Sequence, residues 1–277
     1  MEKEKNISIF GKLIFEGEYL NGKRNGRGKE YNFFGKLKFE GLYFNGKKWE
    51  GKGYDYNNNI VYELKDGKGY IKEYYYFNNY LSFEGEFLNG ERNGKGKEYY
   101  SNGKLKYVGE YLNGEKNGKG KEYYNCKLRF EGEYLYGHKI KGKEYINEKL
   151  EFEGEYSYDK KWNGKGYDEN GKIIYKLNKG NGKVIEYYPE GKLRYKGEYL
   201  NGKRSGQSKE YNFDGKLEFE GEYLNGLRNG KGKNYCDGIL IYEGEYLNGE
   251  RNGRGKEYER NGKLIFEGEY LNGEKKI

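Results

Sequence analysis

Along this chain apolar side chains come in short bursts on alternate positions. Leu13, Phe15 and Tyr19 share one parity with Gly17, while Ile14 is followed on the other parity by Glu16 and Glu18. Residues two apart lie on one face of a β-strand, so each burst predicts a strand with rings on one face and charge on the other. The burst recurs. From Phe15, aromatic anchors follow at Phe39, Tyr62, Phe83, Tyr107, Phe130, Phe152, Tyr175, Tyr195, Phe219, Tyr242 and Phe266, at intervals of about 23 residues, which makes twelve units. An aliphatic residue stands two before every anchor; in ten units glycine stands two after it and a second aromatic four after it.

Between bursts lie stretches such as LNGKRNG and SNGK, rich in the Asn-Gly pairs that tight antiparallel connections need. Each unit therefore reads as a β-hairpin. The fold class expected is all-β: an elongated, twisted, single-layer antiparallel meander of about twelve consecutive β-hairpin repeats. Within the first hairpin, parity sets Gly26 and Gly28 opposite Tyr19 and Gly17, bare backbone on which rings can lie, and sets Glu16 and Glu18 against Arg27 and Lys29. Turns are expected at Asn21-Gly22 and Asn25-Gly26.

Composition thins this picture. Hydrophobic residues make up 34% and charged residues 35% of the 277, too little for a thick two-layer core, yet 18% are aromatic, too many for a disordered chain. The formal charge of +8 comes from interleaved signs and implies only a weak attraction to acidic surfaces. No stretch reaches the roughly 18 apolar residues of a membrane span, and MEKEKNISIF lacks the apolar centre of a signal peptide. A cytoplasmic protein is expected, with a position at the periphery of a membrane or the cytoskeleton as the variant. Cys126 and Cys236 occupy different places in their units and read as free thiols.

The pattern Phe15-x-Gly17-x-Tyr19-x-x-Gly22-x-x-x-Gly26-x-Gly28 resembles the MORN (membrane occupation and recognition nexus) repeat. FEGEFLNGERNGKGKEYY from Phe83 and YVGEYLNGEKNGKGKEYY from Tyr107 match it at every framework glycine. Tyrosine or phenylalanine stands where that family favours tryptophan, and Asn25, Asn93 and Asn117 stand where it often has histidine. NGKLKYVGEY also resembles a shorter variant of the repeat. The resemblance implies a sheet of hairpins serving as a scaffold or dimerising adaptor, in a family linked to phospholipid binding.

A longer period overlies the short one. KKWEGKGYDY from Lys47 returns as KKWNGKGYDE from Lys160, with Trp49 and Trp162 113 residues apart. A five-unit block near 39–151 reads as duplicated near 152–265 within one array spanning 1–277, the last unit being truncated. The unit after each tryptophan lacks the framework glycine and second aromatic, having Leu64 and Asp66, or Leu177 and Lys179, instead. Trp49, Tyr54, Trp162 and Tyr167 are therefore candidates for binding protein partners at twin places, each an exposed tryptophan beside an irregular hairpin. The competing reading is a degenerate unit copied with its neighbours, its tryptophan tucked onto the sheet. Lys23, Arg24, Lys47, Lys48, Lys203 and Arg204 could line one edge and sum weak contacts to anionic lipid. Leu264, Phe266, Leu271 and Ile277 form an open edge lacking its second strand, so a homodimer through the C-terminal hairpins is expected.

Chemistry of other kinds is not indicated. GKRNGRG is followed by no helical periodicity, so its glycines do not read as a phosphate cradle. His138, the sole histidine, sits in what reads as a solvated irregular loop with no cysteine cluster, and no metal, cofactor or catalytic site is expected. Rings sharing a face with glycine and leucine, beside diluted basic charge, argue against nucleic acid. The function expected is a non-enzymatic scaffold for protein–protein interaction, including self-association, and the alternative is a peripheral adaptor on anionic phospholipid membranes.

Overall fold

The structure, a computed structural model, describes residues 2–8 and 10–276. Twenty-five strands run from β1 (Glu2–Ile7) to β25 (Glu274–Lys275), and no helix occurs among the described residues. The chain divides into two compact units, Met1–His138 and Lys139–Ile277. Each is an all-β meander in which sequence neighbours pair antiparallel. In the first unit one sheet ends with β6 (Ile60–Leu64) and pairing resumes at β7 (Gly69–Tyr74); in the second, one ends with β16 (Ile173–Leu177) and resumes at β17 (Gly182–Tyr187).

The repeat chemistry explains the hairpin. In β2 (Leu13–Leu20) and β3 (Lys23–Tyr31), Gly17 pairs with Gly28 and Phe15 with Glu30. The Phe15 ring lies over this glycine pair: a Cβ on Gly28 would stand 2.5 Å, and one on Gly17 2.8 Å, from the ring's Cζ. Glycine is thus required by close approach, and the ring replaces the side chains that two strands would otherwise bury between layers. Phe15 is fully buried. It meets Tyr19 and Tyr43 edge-on, at centroid separations of 5.5 and 5.2 Å, and so locks its own hairpin to the next, as Phe83 does through Tyr111 and Phe219 through Tyr246. Edge-to-face pairs contribute about 0.5–1.5 kcal/mol beyond buried area, and their repetition along the array supplies what a thin sheet lacks in depth. On the other face Glu16 pairs with Lys29, and in several hairpins a tyrosine hydroxyl donates to the glutamate at this place, as Tyr31 does to Glu16 at 2.5 Å and Tyr99 to Glu84 at 2.7 Å.

Three details differ from the expectation. Asn21-Gly22 does form a two-residue turn with positive φ at both residues, but Asn25-Gly26 lies inside β3. The register shifts between Gly17 and Tyr19, so that Tyr19 faces Arg24, and Gly26 faces Tyr43 of β4 (Leu37–Phe44) rather than Tyr19. No ring covers Gly26; the Glu18 carboxylate does. Glu18 accordingly meets Arg27 through the backbone, accepting its N–H at 2.8 Å. Asn25 serves the next unit: its Oδ1 accepts the N–H of Asn45, the left-handed first residue of the following turn, at 3.1 Å, while the Gly46 N–H donates to the Arg24 carbonyl at 2.8 Å.

The two degenerate units are regular but short. Between β6 and β7 the chain reverses through Asp66-Gly67, both at positive φ, closed by a single bridge between Lys65 and Lys68; Lys179-Gly180 repeats this between Asn178 and Asn181. With the turn this early there is no place for a second aromatic. Leu64 and Ile71, or Leu177 and Val184, occupy the places of the framework glycines and are buried. The anchor ring changes partner too: Tyr62 stacks on Phe39, and Tyr175 on Phe152, each at 6.3 Å and 18°.

At the other predicted irregularities, His138 opens a strand, β13 (His138–Ile146), rather than a loop, and β25 supplies the last hairpin with a two-residue second strand on β24 (Leu264–Leu271). Ile277 lies outside the described residues.

Candidate functional site

Cations on the ring face form a structural ladder. The Arg24 guanidinium lies 4.0 Å from the Phe15 ring centre and 3.6 Å from Glu30. Lys48 follows over Phe39 at 5.1 Å, and its ammonium, together with that of Lys38, reaches Glu30 at 3.3 Å. Burial opposes ionisation of Glu30, but Lys48, Lys38 and Arg24 overcome it and hold the carboxyl at about 2. Burial likewise opposes charge on Lys48, and Glu30 more than restores it, raising that pKa above the ordinary lysine value. In the second unit Arg204 stands 4.1 Å over Tyr195, donates through Nε and Nη2 to Glu186 at 3.0 and 2.9 Å, and reaches Glu210 at 2.7 Å. Of the six cations considered for lipid, Arg24, Lys48 and Arg204 are thus engaged on the ring face. Lys47 pairs with Glu91 at 2.7 Å, and Lys23 and Lys203 are exposed.

The tryptophans are half-buried rather than exposed. Trp49 lies against Gly67 of the short turn and 5.4 Å from the Phe44 ring, while its carbonyl accepts the Gly67 N–H at 2.7 Å. Trp162 covers Gly180 in the same way, with the same 2.7 Å backbone bond. Tyr54, at the far end of β5 (Lys47–Tyr54), donates its hydroxyl to Glu40 at 2.9 Å; Tyr167 is half-buried opposite Ile173. The structure therefore does not gather each tryptophan and tyrosine into one surface.

The surroundings of the two tryptophans differ: Ser157 stands where Phe44 meets Trp49, and the ion pairs change. Where the first place has Lys38 before its anchor, the second has Glu151, so Lys161 bonds Glu151 and lies 3.2 Å from Glu144. Burial raises the Glu151 pKa and Glu144 raises it further, against the pull of Lys161.

Two surfaces escaped the sequence reading. On the charged face of the second unit an open groove of about 1440 Å³ runs across β16 to β24. Its sides are lysines and glutamates paired across strands, Lys209 with Glu220 at 3.2 Å and Lys256 with Glu267 at 3.3 Å, and its floor includes Gly232 and Gly255. In the first unit four hairpin tips gather six rings. The groove's alternation of sign was visible in the sequence, but sheet curvature was not; rings at turn positions such as Phe33, Phe34 and Phe77 were the missed signal.

Comparison with known proteins agrees with the repeat geometry. A family model described as the MORN repeat matches residues 15–32, 83–104, 107–125 and 219–237, and one described as a MORN repeat variant matches 163–178, 181–201, 204–225 and 251–272. No curated protein matches the chain. Among solved structures, that of TcdB2-TccC3 without its hypervariable C-terminal region is 11% identical over 95% of this chain and 15% of that one, with a TM-score of 0.20. TcdB2-TccC3-TEV is 11% identical over 96% and 14%, with a TM-score of 0.19. This chain spans about 15% of the length of the chain in the first. The matched repeats together take in more than half of the sequence, and their anchors, framework glycines and hairpins are those laid out above: the chain belongs to the MORN-repeat family.

Proposed function

We propose that this chain is a non-enzymatic cytoplasmic scaffold that holds a polypeptide partner along the charged face of its second unit. The groove there carries the reading. At about 1440 Å³ it exceeds the roughly 300–1,000 Å³ usual for small-molecule sites. A polyanion such as a nucleic acid needs a surface of one sign, whereas this groove alternates Lys209, Glu220, Lys233, Glu243, Lys256 and Glu267 over glycine backbone. That alternation suits a polypeptide of mixed charge, whose own groups can exchange with the weak lysine–glutamate pairs of the sheet, each contributing only about 0.2–1 kcal/mol.

The test is affinity capture from the native cell with quantitative comparison of the unaltered chain and a Lys209→Glu, Lys233→Glu, Lys256→Glu variant. Loss of a specific partner by tenfold or more is expected. Equal recovery by both would remove the groove as the binding surface. The membrane alternative draws on the exposed Lys23 and Lys203; salt-sensitive flotation with anionic vesicles that vanishes in Lys23→Glu, Lys203→Glu would favour it.

A further inference from the structure

The alternation of sign along the groove breaks down at its β16 end. The residue after the anchor ring is glutamate in nine of the twelve repeats and lysine only in two neighbouring ones, Lys176 after Tyr175 and Lys196 after Tyr195. Lys176 of β16 therefore faces Lys165 of β15 (Lys160–Tyr167), and Lys196 of β18 (Leu193–Leu200) faces Lys209 of β19 (Lys203–Tyr211). Between them β17 brings Lys183 and, opposite Lys196, Ile185. All five lysines are exposed. Like charges directly opposite one another destabilise a strand pair, so the arrangement works against the fold.

The duplicated block shows that the architecture does not need it. At the same places in the first unit Glu63 follows Tyr62 and Glu84 follows Phe83, with Glu63 3.7 Å from Lys52 and Glu84 3.2 Å from Lys97. Glu84 also accepts the Tyr99 hydroxyl at 2.7 Å. In the second unit both glutamates have become lysines. Tyr211, the counterpart of Tyr99, lines the groove with Lys196, and no carboxylate among the described residues accepts its hydroxyl. The carboxylates nearby stand at the rim: Glu198 opposes Lys183, and Glu220 takes Lys209 at 3.2 Å. Neither Lys176 nor Lys196 has an acidic residue on this face of either flanking strand.

We propose that Lys176, Lys183, Lys196 and Lys209, with the Tyr211 hydroxyl, receive an acidic stretch of the polypeptide held in the groove, whose carboxylates take the places of Glu63 and Glu84. This deepens the groove reading and rests on it. The two missing carboxylates lie two strands apart, about 10 Å, which about three residues of extended chain span. Ile174 and Ile185, both half-buried in the groove lining, give that chain apolar contact between the lysines. A nucleic acid or an anionic bilayer fits less well. Either would carry its negative charge onward over Glu220, Glu243 and Glu267 of the same face, whereas a polypeptide can change sign along its length. The acidic stretch then sits towards β16 and the mixed-charge remainder towards β24, so the groove binds its partner in one direction.

Titration of the full chain with a fluorescent hexaglutamate peptide at low salt, followed by anisotropy, tests the proposal. Lys176→Glu, Lys196→Glu restores the glutamates of the first unit and should melt no lower than the parent; a lower midpoint would show that the lysines serve the fold and would overturn the idea. Lys231→Glu, Lys256→Glu makes the same change of net charge elsewhere on this face. Affinity should fall about tenfold or more in the first variant and less than about threefold in the second. No binding by the parent, equal losses in the two variants, or equal binding of hexalysine would each overturn it. So would flotation of the parent with phosphatidylserine vesicles that is lost in Lys176→Glu, Lys196→Glu while hexaglutamate does not bind, since that assigns the lysines to a lipid headgroup. Both variants keep Lys209, so the patch is judged apart from the groove. Equal capture of the native partner by the Lys209→Glu, Lys233→Glu, Lys256→Glu chain would remove the groove and leave the hexaglutamate result to decide the patch.

Discussion

The Glu18 carboxylate accepts the backbone N–H of Arg27 at 2.8 Å and lies directly over Gly26, adding a close contact to a backbone conformation that already favours glycine. Gly26 has φ +96°, and a Cβ there would overlap Glu18. The pair recurs: Glu110 accepts from Lys119, and Glu245 from Arg254, at 3.2 Å, beside Gly118 and Gly253. Gly26→Ala should therefore combine backbone strain with loss of the carboxylate contact and destabilise the first unit by about 2–4 kcal/mol. Gly22→Ala is strained only by its φ of +73° and meets nothing within 4 Å, so about 1 kcal/mol is expected. Urea unfolding of both variants checks the order; equal midpoints would mean the Glu18 contact is immaterial.

Glu30 and Glu151 should respond to acid in opposite senses. Burial raises the Glu30 pKa, but Lys48, Lys38 and Arg24 outweigh it and bring 4.5 down to about 2. A depressed carboxyl stabilises the fold above its unfolded value and loses that contribution as pH falls from about 4.5 towards 2, up to about 3 kcal/mol. Glu151 is raised, by burial and then by Glu144, so its contribution is present below the ordinary carboxyl range and is lost as pH rises through its folded value. Glu30→Gln should destabilise strongly at pH 7 and hardly at pH 2. Glu151→Gln should be near neutral or stabilising at pH 7, since Lys161 keeps Glu144 at 3.2 Å. Unfolding free energies measured from pH 2 to pH 7 decide this, and parallel profiles for the two variants would contradict it.

Parity and period made the hairpins, the anchor rings and the Gly17–Gly28 pair legible, because each depends on residues at fixed spacing along one strand. The bulge that pairs Tyr19 with Arg24 was not, since Glu18, which accepts a backbone N–H across the hairpin there, reads equally well in sequence as part of a solvated face. Arg24 and Arg204 were misplaced on an edge for a related reason. A long cation beside a turn looks solvated until a ring lies below it and carboxylates from two hairpins lie beside it. The groove and the Phe33 cluster arise from curvature and from meetings between tips, such as Phe33 with Tyr76, that no local pattern encodes.

Arg204 offers a direct measure of the ladder. Its guanidinium bonds Glu186 and Glu210 and covers Tyr195, so Arg204→Ala leaves partly buried carboxylates short of their cation. About 3 kcal/mol of destabilisation is expected. Arg204→Lys keeps the charge but loses the fork, and about 1 kcal/mol is expected; Lys116 already fills the equivalent place, 4.3 Å over Tyr107 and 2.8 Å from Glu122. Thermal midpoints in the order unaltered, Lys, Ala support the ladder. An alanine variant as stable as the parent would show that ring contacts alone hold the hairpins together.

The short hairpins make a last prediction that separates structure from recognition. Trp49 covers Gly67, whose N–H donates to the Trp49 carbonyl and whose own carbonyl accepts from Gly90 at 2.9 Å, so the indole shields a backbone relay from one unit to the next. Trp162 shields Gly180, and Gly202 donates to it, in the same way. Full burial of an indole is worth about 3–5 kcal/mol on truncation to alanine, and a half-buried one should cost about half of that. Trp49→Ala should therefore speed amide exchange at Gly67 and Gly90 by tenfold or more, leaving Gly180 and Gly202 unchanged, and Trp162→Ala should do the reverse. Partner recovery should survive both, because the side chains act on their own turns. Unchanged exchange accompanied by lost partner recovery would instead make the tryptophans contact residues and restore the twin-site reading.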